Sequence, residues 1–184
     1  GNHDTATGDA QSSPTPNSLS QAGSLGSFGP DGPAASGAIV FDVANGTPVT
    51  DTSSNAVKHD GNALEYFKVG ATLYGTYFTT GQTHNDANAV ANAVFKIDVA
   101  QGSGANATGS YTFTLLQEVD HTPGGAENDV NLSIGFTLKD LSGDTSHSAI
   151  AVTIANFTIF CHNCTYLIIK KLDLDIMFLF QTQN

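Results

Sequence analysis

Arginine is absent from this chain of 184 residues, and only six lysines stand against seventeen acidic residues, which gives a formal net charge of −11. Nucleic acids and anionic membrane surfaces are bound by clustered cations, so the composition argues against both partners. No apolar run is long enough to span a bilayer, and no basic and apolar opening segment resembles a signal peptide. With no initiator methionine either, we expect the chain to be a piece of a longer protein.

Cysteine is nearly absent too, and both copies lie in the short segment Cys161-His162-Asn163-Cys164. A structural zinc site needs two further ligands at compatible spacing, for which the sequence offers only scattered histidines. A thioredoxin-type redox motif needs a βαβ context that this chain lacks. We therefore interpret the two cysteines as incidental.

The last 29 residues differ from the rest. Residues 1–155 hold four lysines and fifteen acids, a net −11, whereas residues 156–184 hold two of each, a net zero. Sixteen residues of this atypical tail are hydrophobic. Three explanations stay open: a frameshifted or non-native read-through, which we favour, a type I export signal, or an extra pair of strands.

Residues 1–35 are rich in Gly, Ser, Pro, Asn and Asp, with Leu19, Leu25 and Phe28 as their few large apolar side chains. Such a segment buries little surface by itself. We predict that it is a linker or the edge of a preceding unit.

The middle of the chain alternates between apolar and polar residues. Four segments, residues 94–99, 111–116, 130–138 and 150–154, show the period of two typical of half-buried strands. Asn45-Gly46 predicts a tight hairpin after residues 39–43, and Gly70 and Gly75 each predict a bulge or a bend. Residues 86–93 have the propensity for a short helix, but we favour a loop leading into a strand. The pattern predicts an all-β fold over residues 36–155, an Ig-like antiparallel β-sandwich.

One acidic loop has the form of a cation ligand set. Asp140, Ser142 and Asp144 carry oxygen atoms at alternate positions, with Gly143 between the last two. Calcium is held by closely spaced carboxylates and carbonyls in such loops. The alternative is a solvated β-turn in which the Asp side chains cap backbone amides. Spacing alone leaves both interpretations open; the clusters at Asp31 and at residues 127–129 are more simply turn or loop residues.

Signs of catalysis are weak. No HExxH pair and no GxSxG elbow occurs among the six histidines and the serines. Asp120-His121 is the single carboxylate and imidazole pair worth naming, and a loop hydrogen bond is the simpler interpretation. We therefore do not expect an enzyme.

Several segments, in order, resemble a repeat domain of bacterial type I secreted giant adhesins, the RTX and VCBS-like surface proteins. They are GSYTFTLLQEVDH at 109–121, GAEND at 125–129, LSIGFTLKDLSGDT at 132–145 and AIAVTI at 149–154. The segment AGSLGSFGPDGP at 22–33 is similar to the opening of such a repeat. The chain departs from the family pattern at Ser142, where Asp is usual, and at residues 86–93, which look like an insertion.

The resemblance implies a non-catalytic β-sandwich that acts as a spacer between neighbouring repeats of one secreted polypeptide. The parent protein would lie outside or on the surface of a Gram-negative bacterium and support cell adhesion and biofilm formation. Calcium would stabilise the repeat, with Asp140, Ser142 and Asp144 as ligands. The acidic excess agrees with this, because bound cations relieve self-repulsion.

A carbohydrate-binding sandwich is the rival hypothesis. In it, exposed Tyr66, Tyr74 and Tyr77 would stack on the sugar rings of a surface glycan. Core or cross-strand packing is the simpler explanation of these side chains.

Overall fold

The computed structural model describes residues 19–121 and 129–154, which form eleven strands and one short helix. In chain order the elements are β1 (Leu19–Ser27), β2 (Ile39–Phe41), β3 (Thr47–Pro48), β4 (Lys58–His59), β5 (Asn62–Ala63), β6 (Glu65–Val69), β7 (Thr72–Thr76), α1 (Asp86–Ala91), β8 (Ala93–Ala100), β9 (Thr108–Leu115), β10 (Val130–Lys139) and β11 (Thr145–Ile154). The predicted tail and both cysteines lie outside the described residues. No helix within those residues is long and apolar enough to cross a membrane.

Two antiparallel sheets form the body of the domain. The first has the order β1-β9-β8-β7-β6-β3, the second has the order β11-β10-β2, and β4 and β5 form a separate hairpin. One cluster of buried side chains draws on both sheets, as expected for a sandwich. This architecture confirms the predicted all-β fold class. The four alternating segments correspond to β8, β9, β10 and β11.

The centre of the core is aromatic. Phe95 on β8 is fully buried, stacks on Phe113 with ring centroids 5.4 Å apart, and meets Tyr66 edge-on at 6.3 Å. Its ring lies across Gly75 of β7, where an added Cβ would come within 2.1 Å of it. The register of β7 and β8 shifts between Gly75 and Thr76, which confirms the predicted bulge.

Residues 19–35 belong to the sandwich, so the boundary predicted at residue 35 needs correction. β1 pairs with β9 along its whole length and forms an edge of the large sheet. Leu25 and Phe28 are buried in the common core. A strand of Gly and Ser forms here because backbone hydrogen bonds and a few apolar anchors suffice when a neighbouring strand is already in place.

The predicted hairpin at Asn45-Gly46 is wrong. Gly46 does adopt a positive φ of 84°, but β2 before it pairs with β10, and β3 after it pairs with β6. The turn therefore carries the chain from one sheet to the other. The Asn45 side chain supports this corner by accepting a hydrogen bond from the Lys68 amide at 2.8 Å.

A short helix replaces the loop predicted at residues 86–93. α1 begins after Asn85, whose side chain accepts a hydrogen bond from the Asn88 amide at 2.9 Å, and Ala89 is fully buried. The helix lies against β6 and β7.

The loops divide between the two ends of the sandwich. We call one end the turn end, because residues 28–34, 101–107 and 140–144 meet there through backbone hydrogen bonds. β1 and β10 both run toward this end, and β11 runs away from it. By these registers Leu19 and Ile154, the outer limits of the described domain, both lie at the opposite end.

Candidate cation site

The turn between β10 and β11 brings the predicted ligands Asp140, Ser142 and Asp144 together. The Ser142 hydroxyl lies 2.8 Å from Asp140 Oδ1 and 3.4 Å from Asp144 Oδ2. The backbone closes the turn, with the Asp140 amide donating to the Asp144 carbonyl at 3.0 Å. Gly143 has φ of 98°, a conformation that favours glycine.

Asp140 caps the turn from within. Its Oδ1 accepts hydrogen bonds from the amides of Gly143 and Asp144, both at 2.8 Å, as well as from Ser142. The Ser142 hydrogen bond, with help from these amides, lowers the pKa of Asp140 below its ordinary value of 3.8. The side chain is therefore ionised at neutral pH, as a cation ligand must be. The structure thus shows the amide capping that the β-turn interpretation predicts.

Two carboxylates share this exposed turn. Within the described residues no lysine or histidine forms an ion pair with Asp140 or Asp144. Calcium takes six to eight oxygen ligands, so the two carboxylates and the hydroxyl supply only part of a coordination shell. No group of three His, Cys, Asp or Glu side chains in the described part of the chain could hold a metal ion. The two carboxylates and the hydroxyl are oxygen donors of the kind that calcium takes, and water would have to supply the rest of its shell.

The same five-residue turn occurs a second time, at residues 51–55. Asp51 Oδ1 accepts the amides of Ser53 and Asn55, the Asp51 amide donates to the Asn55 carbonyl, and Ser54 has a positive φ of 67°. The fifth residue differs. The side-chain amide of Asn55 donates to Asp51 Oδ2 at 2.9 Å, a bond that the Asp144 carboxylate cannot make. The chain therefore contains one turn closed by an amide and one that leaves two carboxylates together.

The turn at 140–144 is fastened to the segment that connects the two sheets. The Leu141 amide donates to the Gly32 carbonyl at 3.0 Å, and the Ala34 amide donates to the Lys139 carbonyl at 3.1 Å. Residues 28–38 lead from β1 in the large sheet to β2 in the small one. The turn therefore hydrogen-bonds directly to the segment that joins the two sheets.

Asp120 has a structural partner in the β4–β5 hairpin. Its two carboxylate oxygens accept the amides of Asp60 at 2.9 Å and Gly61 at 2.8 Å, the two turn residues, which both have positive φ. The Asp120 amide donates to the Lys58 carbonyl at 2.7 Å. These contacts support the loop interpretation of Asp120-His121.

Sequence reasoning missed a polar group on the outer face of the small sheet. Thr137 Oγ1 lies 2.6 Å from Asp42 Oδ1 and 2.8 Å from His147 Nδ1. Asp42 directly follows β2, Thr137 lies in β10 and His147 lies in β11. Because 95 positions separate Asp42 from Thr137, no local sequence motif could predict the group. Asp42 and His147 are both accessible, with 38% and 71% of their side-chain surface exposed.

The three tyrosines of the rival hypothesis do not form one platform. Tyr66 is 5% exposed in the core, and burial raises its pKa to about 12. Tyr77 packs against the core and lies 5.5 Å from the His59 ring. Tyr74 pairs with Lys96 on the face of the large sheet opposite to the one that carries Tyr66, and it is half-buried. Of the three, Tyr74 is the one shown to lie on the outer face of the large sheet.

In the part of the chain that the structure describes, the other acidic positions add no ligand set. Asp31 lies in the turn at residues 29–32, where the Gly32 amide donates to the Gly29 carbonyl at 3.2 Å. Asp129 is exposed, and the rest of its cluster lies outside the described residues. Comparisons with protein-family models, with curated proteins and with solved structures gave no match for this chain.

Proposed function

We propose that this chain is a non-catalytic structural module of a type I secreted bacterial surface adhesin, stabilised by calcium at residues 140–144. The resemblance of the quoted segments supports the adhesin class, and the antiparallel sandwich is the architecture that it implies. The observation that carries the calcium proposal is the pair of carboxylates in a turn whose twin is closed by an amide. In the turn at residues 51–55, the Asn55 amide satisfies the Asp51 carboxylate and adds no second negative charge. In the turn at residues 140–144, calcium bound by Asp140, Ser142 and Asp144 would neutralise the two carboxylates.

Calcium acts here by relieving repulsion and by ordering the turn end. Asp140 and Asp144 are two of the seventeen acidic residues of a chain with a net charge of −11. A bound cation reduces the electrostatic repulsion between their carboxylates. Because residues 32 and 34 hydrogen-bond to residues 141 and 139, the same ion stiffens the connection between the sheets. The module becomes rigid only where calcium is plentiful, which suits a protein that is exported before it folds.

The connections to neighbouring repeats constrain how the module serves as a spacer. Leu19 and Ile154 lie at the same end of the sandwich, whereas a straight rod joins its modules at opposite ends. A straight array therefore needs a connecting segment that spans the length of the sandwich, which is about 34 Å for a ten-residue strand such as β11.

A glycan-binding module is the second candidate, favoured by one observation. Tyr74 shares the outer face of the large sheet with Lys96 and Asp98, which form an ion pair of 2.8 Å. In this proposal the apolar face of the Tyr74 ring would stack on a sugar ring, and the charged groups would hydrogen-bond to its hydroxyls. Glycan-array binding that is lost in Tyr74→Ala, with no effect of calcium on stability, would favour this candidate over the first.

Thermal unfolding of the whole chain with calcium and with chelator tests the calcium proposal. At a calcium concentration ten times Kd the stabilisation is about 1.4 kcal/mol, which raises Tm by about 3–6 °C for a chain of this size. Asp144→Asn rebuilds the amide-closed twin, so we expect it to be more stable than the wild type in chelator and to lose the calcium response.

Asn55→Asp is the matched control, because it places two carboxylates in the twin turn. We expect it to lower Tm in chelator, with part of the loss recovered in calcium. An equal calcium response in the wild type and in Asp144→Asn would contradict the assignment of the ion to residues 140–144. No response in the wild type would remove calcium from the proposal.

A further inference from the structure

One edge of the small sheet is long and unprotected. β11 runs for ten residues with no Pro, no Gly and no Asp, Glu, Lys or Arg, and its pairing with β10 continues without a register shift. In the part of the chain that the structure describes, no strand pairs with its second edge. Such an edge offers a row of backbone donors and acceptors to another strand.

The other sheet edges carry the devices that prevent such pairing. β1 contains two glycines and a register shift between Ser24 and Gly26. β3 has two residues, one of them Pro48, and β2 has three residues. Short edges, bulges and Pro are the usual protections of an exposed strand. The contrast marks the edge of β11 as the pairing surface of this domain.

We propose that two copies of this chain associate through antiparallel pairing of β11 with β11. A partner strand must be equally long and regular, and among the described sheet edges only β11 itself meets this requirement. The strand also has no Asp, Glu, Lys or Arg in a chain with a net charge of −11, so self-pairing places no carboxylates and no ammonium groups directly opposite each other. The pairing surface is therefore self-complementary.

The alternation of β11 fixes the faces of the pair. Ile150, Val152 and Ile154 point into the core, and the intervening residues Ala149, Ala151 and Thr153 are exposed. Residues directly opposite in an antiparallel pair share a face. The inward residues are even-numbered, so the two copies share one inward face only when even-numbered residues pair with even-numbered ones. The two-fold axis then passes beside one residue and its copy in the partner. For the fullest overlap that residue is Ala149 or Ile150. The product is one six-stranded sheet with the order β2-β10-β11-β11-β10-β2.

Sedimentation equilibrium of the full chain, from about 10 μM to about 1 mM in about 0.15 M salt, tests the proposal. We expect a monomer–dimer equilibrium that tightens as salt rises, because salt screens the repulsion between two acidic bodies. Ala149→Lys places like charges close together across the pair and weakens the dimer about fivefold. Ser133→Lys is the matched control: Ser133 pairs with Ala151, lies on the same exposed face and belongs to the interior strand, so it leaves the dimer intact.

Mixing two variants of opposite charge at position 149 distinguishes loss of strand pairing from loss of folding. Ala149→Glu weakens its own dimer as Ala149→Lys does, and mixing the two variants restores association if the strands meet near Ala149. A chain that stays monomeric at every concentration would overturn the proposal. So would equal weakening by Ser133→Lys, or failure of the mixture to restore dimers. Concentration-independent protection from hydrogen exchange of the β11 amides that point away from β10 would also overturn it, since it would place another part of the chain on this edge.

Discussion

Gly75→Ala tests the account of the aromatic core. The added Cβ would lie 2.1 Å from Phe95 Cε1, whereas ordinary contact begins at 3.4 Å, so the ring must move by about 1.3 Å (3.4 minus 2.1). Phe95 is fully buried against Phe113 and Tyr66, so its ring cannot turn out into solvent. Overpacking of this kind costs about 1–3 kcal/mol, and removal of a strand glycine returns about 0.5–1 kcal/mol.

The net expectation is a loss of about 1 kcal/mol in the free energy of unfolding, measured by urea denaturation. Gly23→Ala is the matched control: its Cβ would lie 2.5 Å from Tyr111 Cε1, but Tyr111 is only half-buried and its ring can turn outward. The cost of Gly75→Ala should fall sharply when Phe95 is replaced by Leu, since the clashing ring is then gone. A neutral or stabilising Gly75→Ala, or the same cost in both backgrounds, would refute the reasoning.

Two further predictions concern Tyr66 and Leu25. Because burial raises the pKa of Tyr66 from 10 to about 12, the unfolded chain loses this proton first as pH rises; about 2–3 kcal/mol of stability present below pH 10 should therefore disappear by pH 12, and Tyr66→Phe should flatten this part of the stability profile. Leu25→Ala should lower the free energy of unfolding by about 2–5 kcal/mol if β1 belongs to the core, whereas a linker residue would change it by less than about 0.5 kcal/mol.

Strict alternation made the central strands predictable. In β10 each inward residue from Leu132 to Leu138 is buried, so the pattern of the sequence is the pattern of the core. β1 has no such signal, because its stability comes from backbone pairing with β9 and from Leu25. The helix α1 is only six residues long and is set by the Asn85 cap and by the fully buried Ala89.

The candidate site was only partly predictable for a related reason. Asp140, Ser142 and Asp144 are local in sequence, and their meeting in one turn follows from spacing. The Asn45-Gly46 turn has the expected positive φ at Gly46, yet it joins two sheets, because longer-range pairing with β10 and β6 decides where β2 and β3 lie. The contacts of Asp42 with Thr137 and of Asp60 with Asp120 span 95 and 60 positions, and only the folded sheets bring these residues together.

The central claim is that calcium binds the turn at residues 140–144 and orders this end of the module. A calcium titration followed through the backbone amide resonances of the whole chain tests it most directly. The account predicts shifts that are largest at Leu141, Gly143 and Asp144, smaller shifts at Gly32 and Ala34 through their backbone contacts, and none at residues 51–55. Shifts centred elsewhere, equal shifts in both turns, or no shift at millimolar calcium would contradict it.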